Sequence, residues 1–401
     1  MQRRSVREAL GTVERTRWLA VGGVADAARG RAPAPEVGYS DPSLGRRQPS
    51  AGRRACRVLA VLGLLVVALE PARPRAEVIL PPGFTVRVHV TGDGFDAARG
   101  LPGVPSASTL AVDGAGFLYL ARTGRRYGGG EGDELVPIWR IPPGGARLTP
   151  ATEAQYFYGP PLLNPQVAAV REGEVLVTTF DRDRRVGVLY RLVDGEAHRL
   201  AGGTPPPGVP VLLQQPEGVA VDPAGRIYIA DRAQNRVSRL DARGGLLEAA
   251  WLSLVRPRLA TADDTGGIWI AADGEVEAPW QRGRGAIWRA NPDGAAQAVL
   301  DGLVAAGLAA LPGGRLLVAD RHAAEIFLLT PAGRRMPFAR FTDGDAPRAI
   351  AVAPEAPATR RAGIAGDLFV VRLLRGAWAL NDVLRISGPF ATLGPAAVPA
   401  P

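Results

Sequence analysis

The chain of 401 residues contains no lysine and only one cysteine, three histidines and four asparagines. All 48 basic residues are therefore arginines, which we attribute to the codon bias of a GC-rich genome rather than to selection for arginine chemistry. Because Cys56 is alone, no disulfide can form within the chain. Its position ahead of the apolar run at 58–69 argues against a lipoprotein acylation site.

An excess of one charge is also missing from most of the chain. The formal net charge is +9, but residues 1–76 hold 14 arginines and 6 acidic residues, whereas residues 77–401 hold 34 basic and 33 acidic residues. A protein that neutralises nucleic-acid phosphates needs a basic surface on its folded part. We therefore expect no nucleic-acid partner.

The apolar runs are too short to cross a membrane comfortably, since spanning takes about 20 residues. Residues 53–76 instead have the pattern of a signal peptide, with basic residues at 53, 54 and 57, an unbroken apolar run at 58–69, and Ala72 and Ala76 as small residues before cleavage. We predict an exported protein, periplasmic or extracellular. The alternative is an uncleaved membrane anchor at 53–76. For residues 1–52 we expect a disordered extension or a start codon assigned too early.

The rest of the chain is rich in turn residues, with 50 glycines and 36 prolines in the whole sequence. The stretch 216–245 shows the basic unit, which has three β-type runs at 218–221, 226–230 and 236–240. Asp222-Pro223-Ala224-Gly225 separates the first two runs and fits a tight turn, because proline presets φ and glycine permits a positive φ. Each run is too short to bury an apolar face alone, so the unit needs partners.

Three runs of this kind recur six times from residue 77 onward. Successive first runs end 41 to 58 residues apart, which lies around and above the roughly 40–45 residues of a typical propeller blade. The first runs lie at 109–112, 167–170, 218–221, 259–262, 307–310 and 349–352. We predict an all-β fold, a six-bladed β-propeller at 77–390, followed by a disordered Ala/Pro tail at 391–401.

The fourth, outer runs are weaker, and blade six has none after Ile386. We predict the other outer strands at 146–149, 197–201, 246–251, 296–300 and 334–338. Residues 85–90 form a cleanly alternating run that stands alone ahead of blade one. We predict that this N-terminal strand completes blade six and closes the ring, which leaves no open sheet edge.

In a propeller, the links from second to third strands and from each outer strand to the next blade emerge on one face, here called the loop-rich face. The longest insertions are predicted there, at 123–136, 155–164, 202–213 and 273–285. Binding usually resides in loops on a rigid scaffold, so we predict that this face binds a protein or a small polar ligand. The glycines at 128–130 precede no helix, and a phosphate loop is not indicated.

Aligned first strands place one residue per blade at the mouth of the central channel, and the second-strand ends add Asp-Arg pairs. The candidate binding residues are Ser108, Gln166, Glu217, Asp231, Arg232, Arg258, Asp320, Arg321, His322 and Arg348. One interpretation is an axial pocket in which Glu217 and two arginines hold a polar or anionic ligand. The other is that the Asp-Arg pairs are structural ion pairs between blades.

Metal and catalytic chemistry have little support in the residue types. Glu217 and Asp231 alone are few donors for calcium, which takes about six to eight oxygens, and none of the four asparagines aligns with the mouth. His89 and His198 fall on outer strands, so only His322 lies on the loop-rich face, as a general base or simply a solvated side chain. We predict no catalytic residue and no metal ligand.

The stretch 216–245 resembles an NHL repeat, and residues 347–352 and 315–329 echo it. NHL repeats build propeller blades, and such propellers are chiefly interaction modules. The resemblance therefore implies a binding role for this chain.

A second resemblance involves the two ends of the predicted propeller. Residues 80–84, 366–370 and 375–378 are similar to soluble quinoprotein sugar dehydrogenases, which are six-bladed and use pyrroloquinoline quinone (PQQ), calcium and a catalytic histidine. No histidine occurs between His89 and His198, where the resemblance would place that base. We predict a binding module without a cofactor. The alternative is a sugar-acting enzyme, either a quinoprotein dehydrogenase with calcium and PQQ or a lactonase-type hydrolase.

Overall fold

The computed structural model describes residues 77–98, 100–122, 135–171, 173–278, 280–375 and 380–393, without the side chains of 168–171. The predicted extension at 1–52, the signal peptide or anchor at 53–76, the glycines at 128–130 and residues 394–401 lie outside these ranges. Within them, no helix is both long and apolar enough to cross a bilayer.

Six sheets form six blades, and their inner strands pack side by side around a closed ring. Small residues allow this close approach: a Cβ added to Gly218 would lie 2.6 Å from the backbone nitrogen of Ala260 in the neighbouring inner strand. The inner strands are Ala107–Val112, Gln166–Arg171, Pro216–Val221, Pro257–Ala262, Gly307–Leu311 and Ala346–Val352. The predicted all-β, six-bladed propeller is confirmed.

The second and third strands of each blade follow the predicted runs. The second strands are Leu118–Arg122, Glu174–Asp181, Ile227–Asp231, Ile268–Ala272, Arg315–Asp320 and Leu368–Leu373. The third strands are Leu135–Ile141, Val186–Val193, Arg236–Leu240, Ala286–Ala290, Glu325–Leu329 and Leu380–Ser387. Within every blade these strands pair antiparallel to their neighbours.

The ring closes through the predicted N-terminal strand. Thr85–Gly92 pairs antiparallel with the third strand of blade six, with Val86 opposite Ile386. The outer strands of blades two to five also lie where the sequence predicted them. They are Glu196–Gly202, Leu246–Ser253, Ala296–Asp301 and Arg335–Phe341.

The predicted outer strand of blade one is wrong. Ala146–Leu148 pairs in parallel with the closing strand Thr85–Gly92 of blade six, and Leu148 is fully buried there. The outer strand of blade one is instead Phe157–Leu163, in the segment predicted as an insertion on the loop-rich face. Its two prolines are tolerated because proline fits an edge strand, and the register shifts where they occur.

Short elements complete the described part of the chain. Val78–Ile79 adds a fifth strand to blade five by pairing with Arg335–Phe341, and Val104–Pro105 pairs with Leu380–Ser387. The helices are the 3-10 turns Glu153–Tyr156 and Phe390–Thr392 and the α-helix Pro357–Arg361. Leu393 is buried at 1% exposure, so ordered structure extends three residues into the segment predicted as a tail.

The core consists of apolar layers between neighbouring blades, in which the second and third strands supply the largest buried side chains. Trp139, Trp269 and Phe327 are among the largest fully buried side chains. This placement fits the wide space between blades that diverge from the axis. Because each layer joins two sheets, no blade buries its apolar faces without its neighbours.

An aspartate after the inner strand fixes the turn on the face opposite the loop-rich face. In blade four, Asp263 accepts hydrogen bonds from Trp269 Nε1 at 3.0 Å and Arg289 Nη2 at 3.0 Å. Burial alone would raise the pKa of Asp263, but bonds from Thr265, Gly267 and Arg289 outweigh burial and lower it. The equivalent pairs in blades one and three are Asp113–Tyr119 and Asp222–Tyr228. In blade six, Asp367 instead stands just before the second strand and accepts from Arg385.

Candidate functional site

The start of each inner strand lies beside the end of the second strand, as antiparallel pairing requires. In blade three, Pro216 is opposite Asp231, and in blade four Pro257 is opposite Ala272. The predicted candidates in these blades therefore meet at the channel mouth on the loop-rich face.

A buried charge network joins blades three and four at the mouth. Arg258 Nε lies 3.0 and 2.9 Å from the two carboxylate oxygens of Asp273, and Arg232 Nε lies 3.2 Å from Oδ2. Arg258 also donates to the Ala305 carbonyl of the next blade, and Arg232 donates to the Val276 carbonyl at 2.9 Å. Both arginines therefore hold neighbouring blades together. For Arg232, this agrees with the interpretation of the Asp-Arg pairs as structural ion pairs between blades.

Glu217 lies half-buried next to this network. It accepts a hydrogen bond of 2.6 Å from Gln215 Nε2. Burial raises the pKa of Glu217, while Arg258, Arg232 and the Gln215 bond oppose that rise. Glu217 is thus an acceptor at the mouth whose charge is supported by arginines that are already paired with Asp273.

Arg321 directly follows the second strand of blade five, and Arg348 lies near the start of the inner strand of blade six. Arg348 Nη1 lies 3.5 Å from Asn381 Oδ1, and burial together with the Arg321 charge lowers the pKa of Arg348 to about 10. Burial also lowers the pKa of Arg321.

The aspartates that end the second strands of blades three and five accept hydrogen bonds from backbone N–H groups. Asp231 is fully buried and accepts from the Gln214 and Gln215 backbone nitrogens at 2.7 and 3.1 Å. Burial raises the pKa of Asp231 against these bonds. Asp320 accepts from the His322 backbone nitrogen at 2.9 Å. Among the described residues, no group hydrogen-bonds to the buried His322 Nε2.

The two candidates of blades one and two are buried and contribute little accessible surface. Ser108 is 7% exposed, and its Oγ donates to the Ala121 carbonyl at 3.3 Å, toward its own second strand. Gln166 is also 7% exposed.

A cleft of about 340 Å³ opens on the loop-rich face between blades two and three. Five polar side chains line it: Asp181 and Arg182, which are the Asp-Arg pair at the end of the second strand of blade two, and Arg185, Gln214 and Gln215, which were not predicted. Gln215 joins the cleft to the mouth through its bond to Glu217. The sequence carried one signal, a pair of glutamines just before an inner strand in a link otherwise free of polar side chains except Thr204.

Calcium, which the quinoprotein resemblance implies, does not fit the donors at this mouth. The carboxylates of Asp231, Asp273 and Asp320 are engaged by backbone nitrogens or arginines, and calcium needs several free oxygens. In the described ranges, no three His, Cys, Asp or Glu side chains come close enough to share a metal ion. His89, on the closing strand, is buried against Phe369 and cannot serve as a base at the mouth.

Comparison with known proteins supports the fold and one repeat. Residues 213–240, in blade three, match the family model of the NHL repeat. No curated protein matches the chain.

Solved propeller structures resemble the chain at low identity. A putative oxidoreductase (glucose dehydrogenase) from Thermus thermophilus shares 16% identity over 76% of this chain and 100% of its own, with a TM-score of 0.50. An auxiliary nutrient binding protein from Bacteroides ovatus shares 13% over 77% of each chain, also with a TM-score of 0.50. Likeness at such identities concerns the fold alone. The chain is a six-bladed β-propeller whose third blade matches the NHL repeat model.

Proposed function

We propose that the chain is an exported binding module that takes a small polar ligand on its loop-rich face. The observation that carries this proposal is the cleft of about 340 Å³ beside the polar channel mouth. Small-molecule sites commonly have volumes of about 300–1,000 Å³ and a few well-placed polar groups. The auxiliary nutrient binding protein with the same fold is consistent with such a role.

Two of the side chains that line the cleft carry guanidinium groups, Arg182 and Arg185. Arg185 is positioned by Gln214, whose Oε1 lies 3.3 Å from Arg185 Nη2. The Arg182 guanidinium carbon lies 5.6 Å from the centre of the Phe180 ring. Guanidinium groups bind carboxylate, phosphate or hydroxyl oxygens, so a ligand rich in oxygen acceptors suits the cleft.

Calorimetry of the full chain against a panel of amino acids, sugars and organic acids tests this proposal. Arg185→Ala should weaken binding of a ligand from the panel about tenfold or more, because a charged hydrogen bond is lost. Arg243→Ala is the matched control, since Arg243 is exposed in a turn on the opposite face. Failure of the whole panel to bind, or equal weakening in both variants, would contradict the proposal.

The rival function is a sugar-acting enzyme of the quinoprotein or lactonase type. Calcium and PQQ, added together to the full chain, should leave its unfolding temperature unchanged because the carboxylates at the mouth are already engaged. A rise that Glu217→Ala abolishes would overturn the binding-module proposal in favour of the enzyme.

A protein partner is the second candidate, favoured by exposed apolar side chains on the same face. Leu135, Val209, Val255 and Trp280 are 63%, 53%, 47% and 57% exposed, and each lies in or next to a different link. A pull-down with Trp280→Ser should lose a partner that the wild type retains, whereas Leu246→Ser, exposed on an outer strand, should not. Equal recovery by both variants would count against this surface.

Export is tested separately, by mass spectrometry of the chain produced with its native N-terminus. The expected product begins after Ala72 or Ala76, since these are the small residues that follow the apolar run. An intact N-terminus in a membrane fraction would indicate the anchor instead.

A further inference from the structure

We propose that the cleft between blades two and three binds a small zwitterion, an amino acid, which rests on the binding function proposed above and defines its ligand. The carboxylate of the amino acid contacts Arg185 and Gln214, and its ammonium group contacts Asp181 and Gln215.

Asp181 keeps one carboxylate oxygen available at the cleft. It ends the second strand of blade two and lines the cleft, and its side chain is 29% exposed. Its Oδ1 accepts a hydrogen bond of 2.9 Å from the Arg184 backbone nitrogen. Within the described residues no hydrogen bond reaches Oδ2, since Arg184 Nε lies 3.6 Å away, which is too far for one. A donor on a ligand can therefore bind this oxygen.

The equivalent aspartate of blade three shows what a purely structural role requires. Asp231 is fully buried, and its Oδ2 and Oδ1 accept hydrogen bonds from the backbone nitrogens of Gln214 and Gln215 at 2.7 and 3.1 Å. Asp181 occupies the same place in its blade, because each of the two aspartates pairs with the first residue of its third strand. The fold therefore uses both carboxylate oxygens of Asp231 but only one of Asp181.

Arg185 supplies positive charge from the other end of the turn that follows Asp181. Its side chain is exposed, and its Nη2 lies 3.3 Å from Gln214 Oε1. In the part of the chain that the structure describes, this is its one hydrogen bond. Most of the N–H donors of the guanidinium group therefore remain for a carboxylate, which can accept two of them in parallel.

The two glutamines have fixed amide orientations because each bonds to a charged neighbour. An arginine only donates, so Gln214 turns its Oε1 toward Arg185 and keeps its Nε2 as a donor. Gln215 donates its Nε2 to Glu217 at 2.6 Å and keeps its Oε1 as an acceptor. Among the described residues, nothing else hydrogen-bonds to Gln214 Nε2 or Gln215 Oε1. The donor suits a carboxylate, and the acceptor suits an ammonium group.

The size and the rest of the lining favour a short amino acid. Phe180 and Ala233 are the apolar lining residues, and the volume of about 340 Å³ is near the lower end for small-molecule sites. A simple organic acid would bring its carboxylate near that of Asp181 without an ammonium group to offset the repulsion. A sugar would leave the charges of Asp181 and Arg185 without a charged partner.

Calorimetric titration of the full chain with matched small molecules tests the proposal. L-alanine, β-alanine and 4-aminobutyrate carry both charged groups at increasing separation, whereas propionate lacks the ammonium group and ethylamine lacks the carboxylate. At least one of the three amino acids should bind about tenfold or more tightly than propionate and ethylamine, because these lose a charged hydrogen bond. The tightest binder gives the separation of the two contacts. Propionate that binds as tightly as every amino acid would overturn the proposal.

Two variants separate the contacts of the two charged groups. Asp181→Asn should weaken binding of the amino acid about tenfold or more without weakening that of propionate, whereas Arg185→Asn should weaken both. Asp183→Asn removes an exposed carboxylate of the same turn that does not line the cleft, and Arg243→Asn removes an exposed arginine on the opposite face. Both controls should match the wild type. Equal effects of Asp181→Asn and Asp183→Asn would overturn the proposal.

Thermal unfolding without a ligand shows whether these variants are correctly folded. Arg185 has a φ of 54°, and Asn235 takes the equivalent place in blade three with a φ of 55°. Because asparagine adopts positive φ more readily than arginine, Arg185→Asn should unfold at or above the wild-type temperature. Asp181→Asn keeps an oxygen for the Arg184 backbone and should unfold close to it. Unfolding of both variants far below the wild type would show that the two side chains are structural and would overturn the proposal.

The zwitterion and the broader binding function can fail separately. A sugar or a simple acid whose binding depends on Arg185, with no binding of any amino acid, would leave the binding function in place and overturn the zwitterion. An amino acid that binds the wild type, Asp181→Asn and Arg185→Asn equally would also overturn it, because the amino acid would then bind elsewhere. Failure of every compound to bind would overturn both.

Discussion

Single side chains at equivalent positions of the mouth differ in the partners that hold them. Arg258 and Arg348 occupy equivalent places at the starts of inner strands, yet Arg258 is bound to the Asp273 carboxylate, whereas Arg348 Nη1 lies 3.5 Å from the amide oxygen of Asn381. Because both are arginines at aligned positions, the sequence predicts the same role for Arg258 and Arg348. The difference comes from the aspartate at 273, whose carboxylate reaches both blades.

Removing the charge of Asp273 should therefore be costly. Asp273→Asn leaves Arg258 and Arg232 buried without their counter-charge, and breaking such a pair costs about 3 kcal/mol or more of unfolding free energy. Denaturant unfolding measures this loss. Asp93→Asn is the control, since the Asp93–Arg147 pair is more than half exposed and should change stability by less than about 1 kcal/mol. Similar effects of both changes would contradict the assignment.

His89 should make the propeller sensitive to acid. Burial, Arg385 and Arg87 lower the pKa of His89 from 6.5 to about 4, so between these values the unfolded chain binds a proton that the folded chain does not. Stability should fall as the pH drops from about 7 to 4, by about 3 kcal/mol from this group. Denaturant unfolding across this pH range should show the loss in the wild type.

A variant separates His89 from the carboxylates that also titrate in acid. His89→Leu fills the site against Phe369 without a titratable group, so its stability should decline less steeply over the same range. Parallel curves for the wild type and His89→Leu would rule His89 out as the source.

At the scale of strands, the closing strand Thr85–Gly92 is held in place by buried side chains in its C-terminal half. Val90 is fully buried opposite Val383, whereas Val88 on the same strand is 51% exposed. Val90→Ala should cost about 2 kcal/mol through lost apolar burial and a cavity, and Val88→Ala less than about 0.5 kcal/mol. Denaturant unfolding of both variants checks this. Equal effects would mean that the closing strand is not held as described.

Strand positions were largely predictable because the first and third runs of each blade have a repeated residue pattern. Blade one shows where that reasoning fails. Ala146–Leu148 looked like an outer strand by its position after the third strand, but its pairing partner is the distant Thr85–Gly92. The true outer strand contains Pro160 and Pro161, which argue against a strand unless its edge is free. Pairing between segments far apart in sequence leaves no local signal.

The same limit applies to the candidate site. The alignment correctly placed Glu217, Arg258 and Arg348 at inner-strand starts, because that depends on strand register. It could not show that Asp273 binds two arginines or that Gln215 contacts Glu217 at 2.6 Å. These contacts depend on the paths of the loops between strands, and those loops have no repeated sequence pattern.

At the scale of the whole molecule, each apolar layer is shared by two neighbouring blades. The propeller should therefore unfold as one cooperative unit. The fluorescence of the seven tryptophans, which include the buried Trp139 of blade one and Trp269 of blade four, and far-ultraviolet circular dichroism should give coincident transitions. Separated midpoints would indicate that groups of blades are stable alone.

The pairing of Thr85–Gly92 with Leu380–Ser387 has a consequence for biosynthesis. The ribosome makes the first of these partners almost three hundred residues before the second, so the circle cannot be completed until nearly the whole polypeptide has been translated. Until then, the newly made chain presents two incomplete borders, one at each end of its row of blades. Chaperones that delay premature association of those borders would therefore act over most of the time needed for synthesis.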